Sequence, residues 1–168
     1  CCRQHHLHRG DHMIHFKDYA RHLTSVQGVD GWLSFDEAHF LASCASAAPY
    51  GGRIIEVGSY HGLSTLFLAY GAAVGSKSHI FAIDPHEHSA SGIAGKEYGA
   101  IDAQVFYRNV AASPYSDLVT AIMLPSVPAS LAFRDESVSM AFIDGNHEFL
   151  SVMADLNAWC PKLRPGGL

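Results

Sequence analysis

The sequence predicts an α/β domain built on a doubly wound, mainly parallel Rossmann-like sheet. Three observations carry that expectation. Four short runs, residues 54–57, 80–83, 118–123 and 138–143, are nearly continuous in apolar residues, as parallel strands covered on both faces must be. Segments with helical patterning separate the runs, the alternation expected of βαβ units. Three of the four runs end in acidic or polar groups, at the strand ends where such sheets gather ligands. With right-handed crossovers the expected strand order is 3-2-1-4.

Composition agrees with one well-buried domain. The chain has 168 residues, 48% of them apolar and 16% charged, which suits a packed core and argues against disorder. Net charge is −5 with the signs scattered, so no basic stripe invites nucleic acid or an anionic membrane. No apolar run approaches the roughly 20 residues of a membrane-spanning helix. Four cysteines, Cys1, Cys2, Cys44 and Cys160, follow neither a disulfide framework nor a metal-ligand spacing. Cys44 and Cys160 sit in apolar helical contexts and read as small core residues. That usage points to a reducing, cytoplasmic compartment.

The elements follow in order. Residues 1–30 form a His-rich leader with no clear period, containing His5, His6, His8, His12 and His15. A helix is expected over residues 14–24, with Ile14, Tyr19 and Leu23 as its apolar contacts. Ser34 and Glu37 make a capping box that opens the next helix. Ala38, Leu41, Ala42 and Ala45 then give it one buried face. The helix over 64–74 is apolar almost all round and should be deeply packed. Two shorter helices are expected over 101–113 and 126–132. Phe149, Met153, Leu156 and Cys160 form the expected buried face of the last helix. Pro165-Gly166-Gly167-Leu168 reads as a turn into a further strand, so strands five to seven would lie beyond this chain. The outer edge of strand four is then expected to be open, a route to homo-oligomers.

The strand ends hold the residues that bear on chemistry. Strand one delivers Glu56, Val57, Gly58, Ser59, Tyr60, His61 and Gly62. A dinucleotide loop needs glycine at the second position of G-x-G-x-x-G, so that the backbone can approach a pyrophosphate. Tyr60 occupies that place. Asp84 closes strand two, placed to accept hydrogen bonds from the hydroxyls of an adenosine ribose. Strand four delivers Asp144, Gly145, Asn146 and His147. His61 reads as a loop-surface residue.

Residues 54–65, Ile-Ile-Glu-Val-Gly-Ser-Tyr-His-Gly-Leu-Ser-Thr, resemble motif I of class I S-adenosylmethionine-dependent methyltransferases of the small-molecule O-methyltransferase branch. The branch includes catechol and macrocin O-methyltransferase-like enzymes. Residues 142–149 are similar to its Asp-Gly-x-His strand-four signature. Asp155, Trp159 and residues 163–167 resemble its next helix and L-x-P-G-G turn, and Gly31-Trp32-Leu33 is also similar. The likeness spans residues 31–168, a partial methyltransferase domain.

The resemblance implies roles. Glu56, Gly58, Ser59, Tyr60 and Gly62 would frame the methionine part of S-adenosyl-L-methionine, and Asp84 would hold its ribose. Residues 123–126 would lie near the adenine. Asp144 would lie near the sulfonium and, as in metal-dependent members, could ligate a divalent cation such as Mg2+. His147 would be a base for deprotonating a small-molecule acceptor, with Asp144 as the other catalytic residue, or else a neighbour of the metal; read from the residues alone it serves equally well as a cap at the start of the last helix. Two other readings compete: an NAD(P)-dependent oxidoreductase, against which Tyr60 counts, and a truncated adenosine-binding remnant without turnover.

Overall fold

The computed structural model describes residues 16–86 and 99–168. The histidines expected in the leader, Ile14, Cys1 and Cys2 lie outside the described residues. Four strands, β1 (Arg53–Val57), β2 (His79–Ile83), β3 (Val119–Ile122) and β4 (Met140–Ile143), form one sheet in the order β3-β2-β1-β4. Every pairing is parallel. Ile55 of β1 stands beside Phe81 of β2 and Ala141 of β4, so β1 is central and its end faces both neighbours.

Among the described residues six α-helices accompany the sheet: α1 (Phe16–Ser25), α2 (Phe35–Ala47), α3 (Leu63–Val74), α4 (Ala100–Ala112), α5 (Ser126–Ser130) and α6 (Phe149–Trp159). Strand alternation sends Ile54 and Ile80 to one face, where they pack with Leu41 and Ala45 of α2 and Leu68 and Ala72 of α3. Ile55, Val57 and Ile83 face the other side, toward Ala129, Phe133 and Trp159. Phe106 and Val110 of α4 cover Ala82 near β2. The expected capping box is present: Glu37 N donates to Ser34 Oγ, and Ser34 N donates back to Glu37 Oε2 at 2.8 Å. Ala38, Leu41, Ala42 and Ala45 are all buried, as the period of α2 demands. A Cβ on Gly71 would stand 2.0 Å from the carbonyl oxygen of Ala42. Only glycine lets α2 and α3 cross in backbone contact.

Within the leader, α1 is packed on the domain: Tyr19 and His22 are buried against Phe67 and Tyr70 of α3. Several expectations need correction. In α6 the expected inner face is the outer one. Phe149 is 75% exposed, Met153 and Leu156 are exposed as well, and Asp155 and Trp159 are buried instead. The helix is apolar on two sides, and the side carrying the larger ring packs inward, with Trp159 Nε1 donating to Ser126 Oγ at 2.9 Å. Cys160 follows that outer side and is exposed, while Cys44 is half-buried.

The outer edge of β4 is also not open along its length. Val138 bridges Leu163 in parallel. Arg164 N donates to Val138 O, Leu168 N to Ser139 O, and Ala141 N to Leu168 O. Among the described residues no helix is long and apolar enough to cross a membrane.

Candidate active site

The loop after β1 is shaped by three left-handed residues. Gly58 has φ +86°, Tyr60 +43° and Gly62 +90°. A Cβ on Gly58 would meet Asp144 O at 2.4 Å and the Cα of Gly145 at 2.7 Å, so a bare backbone lets the β1 and β4 loops touch. Tyr60 is no glycine, and its conformation costs about 1–2 kcal/mol. Its surroundings hold it there. The ring stacks on His61 at 3.7 Å and lies 5.1 Å from Trp32, and the hydroxyl donates to Asp30 Oδ2 at 3.2 Å.

Asp84, at the end of β2, binds this loop directly. Ser59 N and Tyr60 N both donate to Asp84 Oδ2 at 3.0 Å, and His86 N donates to Oδ1 at 2.9 Å. His86 is buried, and burial pushes its imidazole pKa down.

His61 is not on the surface. Its Nε2 lies 2.8 Å from Asp102 Oδ1, with both side chains mostly buried, and Asn109 Nδ2 donates to its carbonyl at 2.8 Å. Sequence reasoning missed this pair, because Asp102 lies 41 residues away on α4. Behind the loop Glu56 is fully buried. Burial pushes its carboxyl up to about 7, against the hydrogen bonds of Ser64 and Thr65, and the nearby carboxylates of Asp84 and Asp144 add to the rise. Ser59 is also buried, and its hydroxyl has no protein partner.

Strand β4 delivers a more open group. Asp144 N donates to Val57 O at 2.8 Å, fixing the start of the turn. Asp144 Oδ1 lies 3.5 Å from His147 Nε2, with both side chains largely exposed. Partial burial raises the Asp144 pKa, the His147 charge opposes that rise, and the Glu37 charge adds to it. A divalent cation takes about six ligands. Among the described residues no group of three His, Cys, Asp or Glu side chains is arranged to hold one.

These loops surround one cavity of about 1100 Å³. Of the residues expected at the site, Gly58, Ser59, Tyr60, Asp84, Asp144 and His147 line it. Glu56 and Gly62 are outside that lining; Glu56 is buried behind the loop, and Gly62 caps α3. In the segment expected near adenine, Pro125 and Ser126 line the cavity and Met123 and Leu124 do not. Asp30, Trp32, Glu37 and Phe40 form part of its wall. Of these, only Trp32 had a signal, the Gly-Trp-Leu likeness; Glu37 reads in sequence as a helix cap alone.

A parallel 3-2-1-4 sheet with a glycine loop and acidic strand ends defines a Rossmann-like cofactor-binding class. The chain belongs to the methyltransferase domain family, whose model matches residues 55–168. It is 28% identical over 116 residues to an uncharacterized protein, y4gI, of Sinorhizobium fredii, covering 67% of this chain and 12% of that protein. An S-adenosylmethionine-dependent O-methyltransferase structure from Thermotoga maritima matches at TM-score 0.59 and 20% identity, over 86% of this chain and 46% of that one. A cofactor-bound protein from MTB matches at TM-score 0.59 and 19% identity, over 90% and 62%. The structural likeness establishes the fold. The chain spans less than two thirds of the length of each of these relatives.

Proposed function

We propose that this chain is the S-adenosylmethionine-binding part of a methyltransferase that methylates the hydroxyl of a small molecule. One observation carries the reading. In a chain of the methyltransferase domain family, the left-handed loop at Gly58, Asp84 and Asp144 converge from three neighbouring strand ends on a single cavity.

The residues suit the cofactor. Ser59 offers a buried hydroxyl without a protein partner to its amino-acid end. The bare backbone at Gly58 keeps the two loops in contact beneath that end. Asp84 keeps about one acceptor site for a ribose hydroxyl, since a carboxylate has about four and three amides occupy it here. Pro125 and Ser126 line the cavity and are assigned to the adenine. When bound, S-adenosylmethionine supplies a methyl carbon already activated by a sulfonium.

The chain's own part is alignment and proton removal. Holding the two reactants in line contributes about 7–11 kcal/mol of barrier reduction. His147 takes the acceptor's hydroxyl proton and Asp144 supports the imidazolium that results, a contribution of about 10²–10⁴-fold. Tyr60 disfavours the dinucleotide alternative, because its side chain stands where a pyrophosphate needs open backbone. Cys44 and Cys160 are free thiols, and we assign the protein to a reducing, cytoplasmic compartment.

Calorimetry should show binding of S-adenosylmethionine and its demethylated product, and no binding of NAD. The reverse result would overturn the reading. In the active protein, Asp144→Asn and His147→Ala should each lower the rate about 10²-fold or more. Both variants turning over at the wild-type rate would remove these residues from the chemistry.

A further inference from the structure

A buried histidine seats α1 on the domain. The ring of His22 lies parallel to that of Tyr70 of α3 at 4.5 Å, edge-on to Phe67 at 5.0 Å, and 5.8 Å from Tyr115. Its Nε2 is buried with no hydrogen-bond partner among the described residues, and so is the Tyr70 hydroxyl. Ser25 Oγ, which donates to the carbonyl of His22, stands 3.4 Å from Nδ1. The titratable groups of this nest are phenols: Tyr19 from α1, Tyr70 from α3 and Tyr115 from the segment after α4. From α2 comes His39, which meets Tyr19 rather than His22. Asp18 and Arg21 of α1, whose charges act on Tyr70, pair with each other at the surface. A neutral imidazole suits such surroundings. The ring faces attract a charged one, but burial strips its hydration and no carboxylate compensates, so the His22 pKa falls from 6.5 to about 4 against the pull of the Leu66 main chain.

The segment leaving α1 builds one wall of the cavity. Val26 is buried in the same cluster as Tyr19, Phe67 and Tyr70, with Val29 and Leu33 packed against it. A Cβ on Gly31 would stand 2.8 Å from Leu63 Cβ, so the segment lies tight on the start of α3. Residues 30–33 line the cavity, and Asp30 and Trp32 hold Tyr60. At the far end the Tyr19 hydroxyl donates to Phe35 O at 3.2 Å.

We propose that His22 is a pH-dependent latch: neutral, it seats α1 and with it the wall at residues 26–34, and on protonation it releases both. Only the ligand used in the test rests on the methyltransferase reading. A released imidazole titrates near 6.5, so release is favoured about 30-fold more at pH 5 than at pH 7.5 for a seated ring titrating near 4. A ligand that needs the wall opposes release by linkage.

Hydrogen exchange of the full chain, read by mass spectrometry and corrected for intrinsic rates, tests the latch. From pH 7.5 to pH 5 the protection of residues 16–34 should fall about 30-fold, while β1 and β2 keep theirs. In His22→Phe, which retains a stacked ring, the fall should stay within about threefold; the other histidines are common to both proteins. His22→Leu gives the same reading should the aromatic variant not fold. Unchanged protection of residues 16–34 in the wild type, an equal fall in the variant, or loss of protection across the whole domain at once overturns the proposal. Saturating S-adenosylhomocysteine should restore most of the lost protection at pH 5. Binding by calorimetry without that restoration breaks the link between latch and cavity. No binding at either pH counts instead against the methyltransferase reading, and the comparison with the variant still decides the latch.

Discussion

The loops after β1 and β4 stand side by side at one end of the sheet, yet they are held very differently. In the first, Gly58 N donates to Ile83 O, Gly62 N to Ser59 O, and two amides bind Asp84. His61 and Tyr60 are locked by Asp102, Asp30 and Trp32. In the second, Asp144, Asn146 and His147 are exposed, and Glu148 N donating to Asn146 Oδ1 is a local bond of the turn itself. On the proposed reading, the contrast separates two tasks. A loop that frames a cofactor gains from being formed beforehand. A pair that moves a proton needs access to the acceptor.

The largest break in this comparison should come from glycine. Gly58→Ala forces a Cβ into the Asp144 backbone at a left-handed φ, and should cost about 3 kcal/mol of stability together with cofactor binding. Gly145→Ala meets first a side-chain atom, Val57 Cγ1 at 3.3 Å, and should cost under about 1 kcal/mol. Urea unfolding of the two variants measures the difference, and equal losses would show that the loops are held alike.

Two buried titrations sharpen it next, and they act in opposite directions. Glu56 is raised from 4.5 to about 7 by burial. Its contribution to stability is therefore full below about pH 4.5 and is lost as pH rises to about 7, at most about 3 kcal/mol. His22 stacks on Tyr70 at 4.5 Å, beside Phe67 and Tyr115, with Ser25 Oγ 3.4 Å from its Nδ1. Burial pushes it down from 6.5 to about 4. Its contribution is present above pH 6.5 and is lost as pH falls to about 4. Glu56→Gln should leave stability rising with pH between about 4 and 6.5, and His22→Phe should leave it falling between about 4.5 and 7. Denaturant midpoints across that range would show both slopes; a flat profile in either variant would remove its partner from the account.

The smallest effects concern the supports of each loop. Asp102→Ala removes the partner of His61 and of Gly99 N, and should cost about 1–2 kcal/mol. Asn146→Ala loses one exposed hydrogen bond, and should stay within about 0.5 kcal/mol. Thermal unfolding that ranks them the other way would contradict the division between a fixed loop and an open one.

What the sequence made legible was local or periodic. Four apolar runs became four parallel strands in the expected order, and Ser34 and Glu37 formed their box because the motif is closed within four residues. Gly58, Asp84 and Asp144 could be placed at strand ends because a doubly wound sheet brings those ends together. The inner face of α6 was not legible, since a helix apolar on two sides gives periodicity no way to choose. Nor was the burial of His22 or His61, whose stacking and pairing partners lie far along the chain. The wall at Asp30 and Trp32 depends on the segment before α2 reaching Tyr60, a contact no spacing rule encodes.

On the proposed reading, Asp84 would make the glycine loop and a ribose-bearing ligand rivals for the same lone pairs. Three amides occupy it, leaving room for about one further donor, whereas two neighbouring hydroxyls would bring two. Binding of both hydroxyls would then exchange partners, with an amide at Ser59, Tyr60 or His86 yielding. By linkage, anything that tightens the loop onto Asp84 weakens the ligand, and the ligand loosens the loop by the same factor. The affinity of the site is set in part by what the displaced amide finds next.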